Sequence, residues 1–198
     1  MNLEQVRSIL TGHHPANMLL LRGFSQRPHW PQLPDICGIR AAAIAGYPMY
    51  RGVSRLIGME IVETANGLEQ KLDTLEKYWN DFDFFFLHIK KIDSAGEDGD
   101  FDRKVKLIEE VDKRIPRVLN LGPDVVVITG DHSTPANLKS HSWHPVQVLL
   151  HSRYCRPDGV DRFGERTCMS GGLGGRLPAT DLMPLALANA LRLKKFGA

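Results

Sequence analysis

The sequence predicts an α/β domain built on a mostly parallel sheet with helices on both faces. Three observations predict it. Strand-like apolar runs alternate with segments of helical periodicity, the pattern of a sheet joined by crossovers. Two runs, FFFLHI at 84–89 and VVVI at 125–128, are continuous and apolar, as expected of strands buried on both faces. Residues able to bind a metal stand just past both runs, where open α/β sheets gather ligands.

Each element has a local reason. Leu3, Val6, Ile9 and Leu10 recur at helical spacing over 2–10, and Gly12 and Pro15 end that helix. Residues 17–23 read as a short buried strand, and the proline-rich stretch to Pro34 as a loop. Residues 39–45 fit a strand. A helix over 49–59 carries Val53, Leu56 and Ile57 on one face, and 60–63 alternate as a strand. Leu68, Leu72, Leu75 and Trp79 form the stripe of a helix over 68–79, with Lys71 off the stripe. After the 84–89 strand, acidic residues cluster at 93–100. A helix over 102–115 points Val105, Ile108 and Val111 inward, and 116–121 continue it. Past the 125–128 strand, residues 145–151 read as another strand and 153–175 as a loop rich in Gly and Arg. Thr180 and Asp181 cap a last helix over 182–196, with Pro184 in its first turn.

Composition narrows the function. The 198 residues are 42% hydrophobic and 24% charged, with a net charge of +2, ordinary for a soluble domain and too weak a field to argue for nucleic acid or a membrane surface. Cys37, Cys155 and Cys168 have no paired spacing, which suggests reduced thiols in a cytoplasmic protein. Residues 1–5 lack a signal-peptide pattern, and no apolar run approaches the ~20 residues of a membrane span.

The chemistry gathers at two strand ends. One carries Asp93 with Glu97 four residues on; the other carries the adjacent Asp131 and His132, with His141 nine residues after His132. Carboxylates with imidazoles suit Mn²⁺, Zn²⁺, Fe²⁺ or Co²⁺, and Mg²⁺ where oxygens dominate. Two such ions can clamp a transferring phosphoryl group. Arg22, Arg27, Arg51, Arg55 and Lys71 are candidate phosphate contacts.

These motifs carry a resemblance. TGDHSTP at 129–135 followed by HSWHPV at 141–146 resembles the archaeal-type cofactor-independent phosphoglycerate mutases, members of the alkaline-phosphatase-like metalloenzymes. YRGVSRLIGM at 50–59, HIKKIDSAG at 88–96, LLRG at 20–23 and LKKFGA at 193–198 agree with it. The resemblance implies an alkaline-phosphatase-like fold and interconversion of 2- and 3-phosphoglycerate with two divalent ions. Those ions would be Mn²⁺ or Mg²⁺, with Co²⁺ or Zn²⁺ as alternatives. It implies Asp93 and His141 as ligands of one ion, Asp131 and His132 as ligands of the other, and Arg22 and Lys71 as substrate contacts. Where the family has a histidine four residues after its aspartate, this chain has Glu97, which would favour harder ions.

The resemblance covers only the family's C-terminal half. The family's first-strand aspartate and its serine nucleophile find no match here, and Ser8 and Ser25 lie in other contexts. The fold is therefore expected to be incomplete at its N-terminal side, from a truncated or split gene or a misplaced start codon. Residues 1–35 are expected to be a remnant of an inserted substrate domain with its return linker. Residues 36–198 are expected to be the C-terminal part of the metal-binding domain. An N-terminal half subunit, or a second copy of the chain, is the expected partner at an exposed sheet edge. Two alternatives are a non-catalytic subunit completing a separate half and a metal-dependent phosphohydrolase of the same superfamily.

Overall fold

The computed structural model describes residues 3–21 and 23–193. The chain divides after Trp30 into two compact units. The first contains helix α1 (Leu3–Leu10). Residues 17–21, expected within a buried strand, form no ladder, and Met18, Leu19, Leu20 and Leu21 are exposed. An apolar run becomes a strand only where another strand completes its hydrogen bonds, and no described residue of the first unit does so.

The second unit is organised on β1 (Ala41–Ile44), with β2 (Glu60–Ile61) and β3 (Phe84–Leu87) paired parallel on its two sides. The alanines of β1 are nearly inaccessible, and their small side chains let layers close on both faces. On one face, Ala42 and Ile44 pack with Leu72 and Leu75 of α4 (Leu68–Lys77) and with Val118 of α7 (Ile115–Leu119). On the other, Ala41 and Ala43 pack with Leu33 and Cys37 of α2 (Leu33–Cys37) and with Met183 and Leu187 of α9 (Leu182–Asn189). Phe85 and Leu87 of β3 join the first layer, Phe84 and Phe86 the second, as the period of two requires. Helices thus cover both faces of a parallel sheet. The entrances of β1 and β3 are clamped: Arg40 donates to Asp83 from its backbone at 2.8 Å, from Nε at 3.1 Å and from Nη2 at 3.3 Å, and Arg192 adds a further donor at 3.1 Å.

Several local expectations change. Strands β4 (Val125–Ile128) and β5 (Leu149–Ser152) form a separate antiparallel pair, with α9 against β4. Residues 129–148 contain no helix, so the chain returns without the crossover that a parallel neighbour needs. Both β3 and β4 are half-buried rather than fully buried. Residues 91–97, to which the sequence assigned only an acidic cluster past the strand, form α5 (Lys91–Glu97). Helix α6 (Phe101–Asp112) is capped by Asp100, whose carboxylate accepts from the Arg103 amide at 3.0 Å. Val105 and Ile108, expected inward, are exposed, because α6 rests chiefly on α5. The last helix ends at Asn189 rather than 196, with Leu191 at φ 56°. Asp181 precedes it without a side-chain cap, and residues 194–196 lie outside the described residues. Helix α3 (Pro48–Leu56) follows β1 as expected, and α8 (Glu165–Cys168) interrupts the glycine- and arginine-rich loop. No described helix is long and apolar enough to cross a membrane.

Candidate metal centre

The carboxyl ends of β1, β3 and β4 supply the site. Helix α5 starts directly after β3 and carries Asp93 on its first turn. The segment after β4 carries Asp131 and His132, and a bridge between Ser133 and Ser142 turns His141 back beside them. Buried Gly96 of α5 lies so close to Thr134 that a Cβ there would meet the Thr134 carbonyl oxygen. Lys104 of α6 donates to that same oxygen at 2.5 Å. This seam sets the distance between Asp93 and the histidines.

Asp93, His132 and His141 each present one ligand atom, all within 4.8 Å of one another. Asp93 Oδ1 stands 3.9 Å from His132 Nδ1 and 3.9 Å from His141 Nε2, and the imidazoles stack with centroids 3.7 Å apart. Two further carboxylates flank the group. Glu97 Oε1 is 3.5 Å from His141 Nε2, and Asp131 Oδ2 is 3.6 Å from His132 Nε2. One carboxylate and two imidazoles in mutual reach, with two more carboxylates beside them, fit a divalent transition metal or a harder ion such as Mn²⁺.

Hydrogen bonds orient these donors. Thr134 donates to Asp93 Oδ1 and lies 3.0 Å from His132 Nδ1. Lys90 Nζ pairs with Asp93 Oδ2. Burial pushes the Asp93 carboxyl up, but hydrogen bonds from Lys90 and Thr134 outweigh it and hold the group below the usual carboxylate range. Burial likewise pushes Asp131 up, and the Tyr50 hydroxyl, the local amides and His132 bring it down. The Tyr50 phenol is raised by burial first, then by its bond to Asp131. Its ring lies 3.9 Å from that of His88. The His88 Nδ1 atom is buried without a partner, and burial, then Lys71, lowers the ring's pKa.

The other expected contacts fall differently. Lys71 is buried, and its Nζ donates to the His88 carbonyl at 2.7 Å. Burial, then Lys91, lowers its pKa. Arg51 is paired with Glu63 at 2.9 Å through Nη1, and Arg22 lies outside the described residues. Sequence reasoning missed Tyr50, Thr134 and Lys90. Lys90 had a local signal, since it stands one helical turn before Asp93. Tyr50 had none, because Asp131 is 81 residues away.

A family model described as the metalloenzyme superfamily matches residues 5–189. The chain belongs to the metalloenzyme superfamily. Among its superfamily relatives, a probable 2,3-bisphosphoglycerate-independent phosphoglycerate mutase of Thermotoga neapolitana is 55% identical over 99% of the chain and 49% of its own length. A protein of the same description from Aquifex aeolicus is 49% identical over 99% of the chain and 48% of its own length. The chain thus spans about half the length of the curated relatives it matches. Among solved structures, the PH0037 protein of Pyrococcus horikoshii superposes with a TM-score of 0.84 at 33% identity, covering 89% of the chain and 57% of that protein. A cofactor-independent phosphoglycerate mutase of Thermoplasma acidophilum shares the fold with a TM-score of 0.68 at 23% identity, over 95% of the chain and 50% of that protein.

Proposed function

We propose that these residues form the metal-binding half of a 2,3-bisphosphoglycerate-independent phosphoglycerate mutase that interconverts 2- and 3-phosphoglycerate in the cytoplasm. The observation that carries the reading is the convergence of Asp93, His132 and His141 in a chain that runs the length of half a mutase. Asp93, His132 and His141 would hold one divalent ion, with Glu97 in reach of it, and Asp131 would serve a second. Mn²⁺ or Mg²⁺ suits this oxygen-rich set. Bound there, such ions supply Lewis-acid stabilisation to a transferring phosphoryl group.

The chain's own residues do the rest of what this half contributes. Thr134 fixes one oxygen of Asp93, and Tyr50 fixes one oxygen of Asp131, so both carboxylates are oriented before anything binds. A cavity of about 730 Å³ borders the site at Tyr47 and Lys90; Lys71, Lys91, Lys113 and Arg114 also line it, with Glu69, which pairs with Arg114, and Glu110, so the lining carries more positive than negative side chains. That balance of charge suits the phosphate and carboxylate of a phosphoglycerate. Lys71 would act there through its charge, because its Nζ is already bonded to His88. The division of the chain after Trp30, five residues before the proposed boundary, supports a two-part reading, with residues 1–35 as part of a substrate domain and 36–198 as part of the metal-binding one, although Leu33 already packs in the second unit. A nucleophilic serine would come from the remaining half of the relatives' length, as a continuous chain or a separate subunit.

Conversion of 3- to 2-phosphoglycerate in the presence of Mn²⁺ tests this, with the chain alone and with a separately produced N-terminal half of a relative. Activity is expected only with both halves, and Asp93→Ala abolishes it. Turnover by the 198 residues alone would overturn the assignment of the nucleophile to the other half. Release of inorganic phosphate without 2-phosphoglycerate would identify a phosphohydrolase.

A further inference from the structure

The two oxygens of Asp93 face different partners. Oδ1 accepts from Thr134 and stands 3.9 Å from each imidazole. Oδ2 is taken by the ammonium of Lys90, which also lies 3.9 Å from Glu97 Oε2. Lys90 is the residue before the first turn of α5 and meets Asp93 at i,i+3. The pairing is therefore made within one turn and needs no distant part of the fold. The ring of Tyr47 lies under the ammonium, its centroid 5.5 Å away, within cation–π reach.

We propose that Lys90 is a built-in counter-ion of the metal centre: its single charge offsets part of that of Asp93 and Glu97 while no ion is bound, and it must withdraw before a divalent cation is taken. The inference rests on the metal-centre reading above. Three carboxylates, those of Asp93, Glu97 and Asp131, gather beside the imidazoles, and such a cluster repels itself without a cation. The Lys90 ammonium supplies one positive charge. A dication beside Asp93 supplies two and repels the ammonium, so the two cations exclude each other. Lysine suits this exchange, because its four-carbon stem is flexible and its charge is a point rather than a fixed fork. The cavity that Lys90 also lines gives the displaced ammonium a place beside the centre. Lys90 thus sets the concentration of metal at which the centre fills.

Two measurements test the exchange without any catalytic readout. Mn²⁺ titration by calorimetry compares the wild-type chain with Lys90→Met, which keeps the stem and removes the charge, and with Lys90→Arg, which keeps the charge. Lys90→Met is expected to bind Mn²⁺ about tenfold more tightly or better, and Lys90→Arg no more tightly than wild type. Separately, acetylation of Lys90 in the wild-type chain by N-acetoxysuccinimide, read by mass spectrometry, is expected to rise when Mn²⁺ is added. Equal Mn²⁺ affinity in wild type and Lys90→Met, or acetylation that is unchanged or reduced by Mn²⁺, overturns the inference and leaves the metal centre standing. If Mn²⁺ binds neither wild type nor Lys90→Met, the metal centre and the counter-ion fall together.

Discussion

Replacing Gly96 by alanine adds one methyl group at the seam that sets the geometry of the centre. That Cβ would meet the Thr134 carbonyl oxygen, Thr134 Cγ2 at 3.0 Å and Lys104 Nζ at 3.2 Å. Lys104 can swing aside. The Thr134 carbonyl is backbone, and it already accepts from Lys104 at 2.5 Å, so the loop after β4 has to shift away from α5. Overpacking of this kind costs about 1–3 kcal/mol. Urea denaturation is expected to move its midpoint down by roughly 0.5–1.5 M at a slope of about 2 kcal/mol per M. The same shift breaks the Thr134 bond to Asp93 and separates Asp93 from His132, so Mn²⁺ affinity should fall by about tenfold or more, a loss of ~1.4 kcal/mol or more. Gly52→Ala is the control. Gly52 lies inside α3 with open space around its Cβ position, so alanine there should stabilise by about 0.5–1 kcal/mol. If Gly96→Ala matches wild type in both midpoint and Mn²⁺ affinity, the seam does not position the centre and the reasoning fails.

Other outcomes follow from single contacts. Leu72, 2% exposed between α4 and the sheet, should cost about 2–5 kcal/mol on truncation to alanine, read by chemical denaturation. The Asp83 carboxyl is held at about 2, first by the Arg40 side chain and then by its amide. Its folded pKa lies below the unfolded one, so its contribution is complete above about pH 4 and is lost as pH falls towards 2. Discounted for its partial exposure, that contribution is about 1–2 kcal/mol. Asp83→Asn should therefore flatten stability across this window, as seen in thermal melts from pH 5 to 2. Asp93→Asn should weaken Mn²⁺ binding by at least about tenfold, and an unchanged calorimetric titration would remove Asp93 from the centre.

Much of the fold was legible because local periodicity and burial coincide where an element packs on one side. The Leu68, Leu72 and Leu75 stripe of α4 is such a case, and all three pack on β1 and β3. Legibility failed where the partner is remote. Lys71 looks like a solvated charge beside that stripe, yet its stem is buried and its tip reaches the His88 carbonyl. Val105 and Ile108 follow an inward pattern, yet the sheet does not lie under that face of α6. The antiparallel return of β5 was invisible, since a strand's direction depends on the path between strands and not on its own residues.

For the centre, the residue types and their places after β3 and β4 determined which side chains could bind a metal: Asp93, Glu97, Asp131, His132 and His141. A strand end is a local signal, and ligand chemistry belongs to the side chain itself. Only the tertiary structure decided their grouping. It set Asp93 beside both His132 and His141, gave Asp131 to Tyr50, joined Asp93 to His132 through Thr134, and placed the Lys90 ammonium on the first carboxylate. Those choices depend on how closely α5 meets the loop after β4. Packing around Gly96 sets that distance, and no pattern along the chain contains it.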